Sequence, residues 1–181
     1  MNERCPPFHG KYRGVVTDNA DPLKRGRIRA TVQDVLGDVE TGWALPCFAY
    51  AGPQVGLYLI PPKKALVWME FEQGDPDYPI WTGCFLREGV LDLPLPPVFI
   101  DPDRKILRTE AWTITLDDSK GGPKLTIESA AGPVPLTRVS IDRTTIKITN
   151  ELVPGATSPP AATIQLAGNK VSINDNALEV T

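Results

Sequence analysis

In the second half of this 181-residue chain, aliphatic residues recur as pairs two positions apart. The pairs are Ile114 and Leu116, Leu125 and Ile127, Val139 and Ile141, Ile146 and Ile148, Ile164 and Leu166, Val171 and Ile173, and Leu178 and Val180. Alternate residues of a β-strand point to one side, so each pair marks a short strand with a two-residue apolar face. From Val139 to Ile146, from Ile164 to Val171 and from Val171 to Leu178 the step is seven residues. The stretches between, such as Asp142 to Thr145 and Ala167 to Lys170, are polar turn formers, and the longer steps contain Gly-Pro or Pro-Pro sequences that read as loops. The repeating unit is one strand and one turn.

A two-residue apolar face cannot close a core alone, and a lone stack of such strands leaves edges and apolar surface in water. Three chains wound about a common axis solve this, each pair of side chains meeting its two copies along a central seam. At roughly 4.8 Å per strand layer, seven layers give a rod on the order of 30 Å long. The competing arrangement is a sandwich within one chain. Sandwich cores usually recruit aromatics, and this region has only Trp112, at its start.

The other aromatics all lie before residue 109, where a filled core is feasible. Strands are expected over Lys11–Thr17, Arg27–Val32, Trp43–Ala49, Ala65–Phe71 and Ile80–Phe85, with the continuous apolar run Ala65–Phe71 suited to a central position. Five short strands in so small a span suggest a closed barrel, because closure removes exposed sheet edges. The chain's 19 prolines and 15 glycines suit short strands and turns better than helices. Pro94, Pro96, Pro97 and Pro102 make the stretch from Gly89 to Asp103 extended and semi-rigid. The organisation expected is an N-terminal arm at 1–11, a barrel at 12–88, a proline-rich linker at 89–108 and a strand repeat at 109–181.

A net charge of −3 gives no global positive field to attract nucleic acid. The first residues lack the apolar stretch of a signal peptide, and no run is long enough to span a bilayer, so synthesis and assembly in a bacterial cytoplasm are expected. Cys5, Cys47 and Cys84 form an odd, widely spaced set, read as reduced and mostly buried thiols. His9 is the single histidine, in an N-terminal stretch read as mobile, and no Cys or His pair has zinc spacing. Asp75 and Asp77, near Glu70 and Glu72, are better read as a Gly-Asp-Pro turn and a solvated strand face than as catalytic carboxylates. No catalytic residue, cofactor site or metal site is expected. The one local basic cluster is Lys24, Arg25, Arg27 and Arg29, and a barrel with such a groove could instead bind single-stranded nucleic acid or an oligosaccharide.

Several segments in register carry a resemblance: Gly14 to Pro22, Gly26 to Val32, Trp43 to Pro46, Leu59 to Pro61, and Val67 to Pro76 followed by Pro79 to Gly83. They resemble the N-terminal oligonucleotide/oligosaccharide-binding (OB) barrel of phage baseplate assembly protein V and of the valine-glycine-repeat spikes of type VI secretion. Thr113 to Asp118, Lys124 to Ser129 and Ile164 to Ile173 are similar to the triple-stranded β-helix of those spikes. The resemblance implies an all-β protein, a five-stranded OB barrel followed by an intertwined, trimeric β-helix. It also implies a non-enzymatic central spike of a contractile phage tail or related injection particle, which docks on the tail hub and punctures the target envelope.

In that setting the barrel is a trimeric collar, with Lys24, Arg25, Arg27 and Arg29 as hub contacts. A conical tip protein of the Pro-Ala-Ala-Arg type would dock on Leu178, Val180 and Thr181, and contact with the target envelope would be transient. Nucleic acid is not an implied partner. Two features of relatives are missing here: a lysozyme domain between barrel and needle, and an iron-binding His-x-His motif, since no histidine follows His9.

Overall fold

A computed structural model describes residues 7–86, 101–129, 137–150, 162–174 and 177–180. The chain divides into two compact units, Met1–Leu93 and Pro94–Thr181. Cys5 and Thr181 lie outside the described residues.

The first unit is built on β1 (Tyr12–Asp18), β2 (Arg29–Thr31), the single-turn α1 (Gln33–Leu36), β3 (Leu45–Pro46), β4 (Ala51–Gly52), β5 (Val55–Gly56), β6 (Leu66–Phe71) and β7 (Pro79–Cys84). Five of these strands make one sheet in the order β2-β1-β6-β7-β3. The apolar run expected to be central is central: β6 lies between β1 and β7. Its burial alternates, so Val67, Met69 and Phe71 point inward. They meet Val16, Ile28, Ala30, Val32, Ala44 and Trp81 in a single core. The two edges are joined just outside β2 and β3. Ile28 and Ala44 exchange both backbone hydrogen bonds, at 3.3 and 2.8 Å, which curls the sheet towards closure.

Four sequence expectations need correction here. The strand expected over Trp43–Ala49 is only two residues long, and a small hairpin, β4 with β5, follows it. Pro46 contributes no N–H and Pro53 interrupts the next stretch, so a long ladder cannot form. The turn α1 was not anticipated. Cys47 and Cys84 are exposed, not buried. The stretch beside His9 is tied down: the Phe8 N–H donates to the Gly74 carbonyl at 2.9 Å, and the Phe8 ring lies against Tyr12 and Phe71.

The second unit is a single eight-stranded antiparallel meander. Its strands are β8 (Arg104–Arg108), β9 (Trp112–Asp117), β10 (Lys124–Ser129), β11 (Thr137–Ile141), β12 (Thr145–Asn150), β13 (Ala162–Ala167), β14 (Lys170–Ile173) and β15 (Leu178–Val180). Each pairs with its neighbours in sequence. Strand β8 arises from residues assigned above to the linker. Aspartates set two of the turns. The Asp142 carboxylate accepts from the N–H groups of Thr144 and Thr145 at 2.9 Å, and Asp117 accepts from the Ser119 N–H at 2.9 Å.

Candidate oligomer interface

Pairing register turns the aliphatic pairs of the meander into two continuous rows on one face. One row runs Leu116, Leu125, Ile141, Ile146, Leu166, Val171, Val180, each residue opposite the next across adjacent strands. The other runs Ile114, Ile127, Val139, Ile148, Ile164, Ile173, Leu178. A one-residue slip in any strand would send its two apolar side chains to the opposite face, so the rows hold only because every ladder is in phase.

Among the described residues, no second layer of the unit covers this face. Leu116, Ile141, Ile146, Ile148, Ile164, Leu166, Val171 and Leu178 are between 36% and 54% exposed. Ile114, Leu125, Ile127, Val139 and Ile173 are half-buried by their row neighbours. Covering the rest of an Ile or Leu that is two-fifths exposed is worth about 1 kcal/mol per side chain. Summed along both rows, that is a strong drive to bury the face.

The first row begins sharply. Lys105 on β8 stands opposite Leu116, where the first row would otherwise continue, and its ammonium donates to Asp118 at 2.6 Å. The adjoining position of the second row is still apolar, Leu107. The opposite face is polar: Thr113, Thr149 and Thr163 are buried there, and Arg138 donates to its cross-strand partner Glu128 at 3.1 Å. One side of the sheet is therefore polar and carries three buried threonines, while the other is apolar and exposed.

On the barrel, the basic cluster does not act as a unit. Arg27 Nη2 donates to Asp21 Oδ1 at 2.6 Å and its Nε donates to Oδ2 at 3.1 Å. Asp21 also accepts from the backbone N–H groups of Leu23 and Arg25, at 2.9 and 2.7 Å. The Arg27 guanidinium, opposed by burial and aided by these backbone donors, holds the Asp21 carboxyl well below the usual carboxylate range. Arg29 pairs with Glu40 at 3.1 Å and donates to the Thr41 carbonyl. Both guanidinium groups lie over the Trp43 ring, at 5.6 and 6.0 Å. Only Lys24 and Arg25 are left with no ion pair among the described residues.

Beside them is a feature that sequence reading missed, a cavity of about 590 Å³ between Lys24, Arg25, Gly26, Phe48, Tyr58 and Ile60. Gly26 makes it possible. Its φ is +74°, and a Cβ there would fall 2.7 Å from Phe48 and 3.0 Å from Ile60. The sequence signal was the apolar content of the Leu45–Ile60 stretch, in which Leu45, Tyr50, Val55, Leu57, Tyr58, Leu59 and Ile60 all prove exposed.

The remaining candidates separate. His9 is exposed, and the Tyr12 hydroxyl donates to its carbonyl at 3.2 Å. Asp75 accepts from the Asp77 N–H at 3.0 Å, which makes the pair a turn. No group of three or more potential metal ligands occurs among the described residues.

A small curled barrel joined to a sheet with one exposed apolar face defines a β protein built to associate through that face. Residues 12–86 match the type VI secretion system/phage-baseplate injector OB domain, and residues 105–179 match the phage baseplate V C-terminal trimerisation domain. The two domains in this order account for most of the chain, which belongs to the phage baseplate V family. No curated protein matches it. Membership gives the chain a structural, spike-type role in a phage baseplate or type VI apparatus, and its trimerisation domain supports a homotrimer.

Proposed function

We propose that the protein is the central spike of a contractile phage tail or a related injection particle, and that it works mechanically and without catalysis. Three copies pack the two apolar rows of their meanders against one another around a common axis, forming an intertwined, triple-stranded β-helical needle. The barrels dock on the hub at the end of the tail tube, and contraction drives the needle through the target envelope. A separate tip protein on Leu178, Val180 and Thr181 belongs to the same proposal.

The observation that carries this reading is the pair of unbroken aliphatic rows, half exposed in the lone chain, within a domain whose family is defined by trimerisation. Two sister sheets supply the missing layer at no cost in new sequence. In such an assembly no strand can leave without breaking contacts with two other chains. Unfolding is then slow, and resistance to force is a matter of rate as much as of equilibrium stability.

The test is the mass of the full chain in solution. Light scattering should give three times 19.7 kDa. A stable single chain at micromolar concentration overturns the needle.

A further inference from the structure

A closed ring of three identical barrels cannot be built from one self-complementary patch. Rotation by a third of a turn brings each copy's donor patch onto a different, acceptor patch of its neighbour. The barrel of this protein carries one candidate for each part. The acceptor is the cavity beside Gly26, with Phe48, Tyr58 and Ile60 as its apolar lining and Lys24 and Arg25 at its rim. Phe48 and Tyr58 pack edge to face at 5.2 Å, so the lining is preformed. Asp21, which also lines the cavity, is neutralised by Arg27, and the local charge is left positive.

The donor is the turn after α1. Val39 is 66% exposed, flanked by Asp38, exposed and with no ion pair among the described residues, and by Glu40, whose carboxylate is paired with Arg29. The turn is held in place: the Val39 N–H donates to the Leu36 carbonyl at 3.2 Å, and Glu40 bridges Thr31. An exposed valine beside the unpaired Asp38 carboxylate complements an apolar cavity with a basic rim. A chain cannot fill its own cavity with this turn. Gly26 precedes β2 and Glu40 meets the far end of that strand, so the two features stand on the order of 15 Å apart by strand rise.

We infer that the barrels form a ring in which the Asp38-Val39-Glu40 turn of each copy seats in the Gly26–Phe48–Tyr58–Ile60 cavity of the next, with Asp38 facing Lys24 and Arg25. The inference rests on the trimeric reading above and adds a second interface, independent of the needle seam. Contacts of this kind depend on charge as well as apolar fit, and charge complementarity fixes register more than it adds affinity.

The experiment is a cysteine pair in the full chain. With Cys5, Cys47 and Cys84 changed to Ser, the double variant Val39→Cys/Ile60→Cys is oxidised mildly and run without reductant. The expected result is a covalent trimer that reductant dissolves, with neither single variant linking. Adding Lys24→Glu and Arg25→Glu should slow linking at least tenfold, and a further Asp38→Lys should restore it. In the unaltered protein, zero-length carbodiimide coupling of mixed heavy- and light-isotope chains should give a Lys24–Asp38 amide between chains.

A particle that is trimeric by light scattering but shows neither the disulfide nor the amide overturns the ring and leaves the needle standing. A monomeric particle overturns both.

Discussion

Ile148 on β12 stands directly opposite Ile164 on β13, yet the two side chains remain 43% and 42% exposed. A cross-strand pair of this size normally lies under a second layer. If sister sheets supply that layer, Ile148→Asp places three carboxylates together in a dry seam, at a cost of several kcal/mol per chain. The expected outcome is loss of the trimer in light scattering, whereas Ile148→Val, which removes one methylene, keeps it. A stable trimer of the Asp variant would show that this face is not the seam.

The barrel's stability depends on β6. Met69 is fully buried in the central strand, and its Cγ lies 2.7 Å from where a Cβ on Gly14 would stand, so the fit between β1 and β6 is tight. Met69→Ala should destabilise the barrel by about 2–5 kcal/mol, the range for large-to-small changes in a packed core. Denaturant unfolding followed by tryptophan fluorescence would register it, because Trp81 belongs to the same core.

Gly26 combines a left-handed backbone with close approach of Phe48 and Ile60. Gly26→Ala should cost about 1–3 kcal/mol from backbone strain, before any clash is counted. The Gly26 carbonyl also accepts from Trp81 Nε1 at 3.1 Å, so a shift there should redden the tryptophan emission.

Acid should loosen the turn ahead of β2. The Asp21 carboxyl is depressed in the folded state by Arg27 and backbone donors from its ordinary value of 3.8. Its stabilising contribution is therefore complete above that pH and disappears as pH falls through the lower, folded value. Asp21→Asn should be less stable than the parent at neutral pH, and the difference should shrink below pH 3.8. Thermal unfolding across that range would measure it; a constant difference would mean that Asp21 acts through shape alone.

The period-two pattern made β9 to β15 legible strand by strand, because two apolar residues with polar neighbours leave little choice of side; β8, which lies in the stretch read as linker, escaped. The place of β6 was legible from its continuous apolar run. What escaped was the behaviour of Leu45–Ile60. Its leucines and aromatics look like core, but Pro46 and Pro53 deny it a long ladder, and these side chains end at the surface. Composition cannot tell a residue that faces its own core from one kept for another molecule. The pairing within the basic cluster was illegible for a related reason. The charges of Arg27 and Arg29 look free in sequence until the fold brings Asp21 and Glu40 to them.

Because every strand of the meander pairs only with its neighbours in sequence, the contacts between strands are local. A chain lacking β12 and β13 together would bring β11 against β14 with alternating direction preserved and both apolar rows still aligned. The length of the sheet is thus adjustable in whole hairpins. Duplication or deletion of one hairpin would therefore change the length of the sheet while leaving the strands at either end as they are.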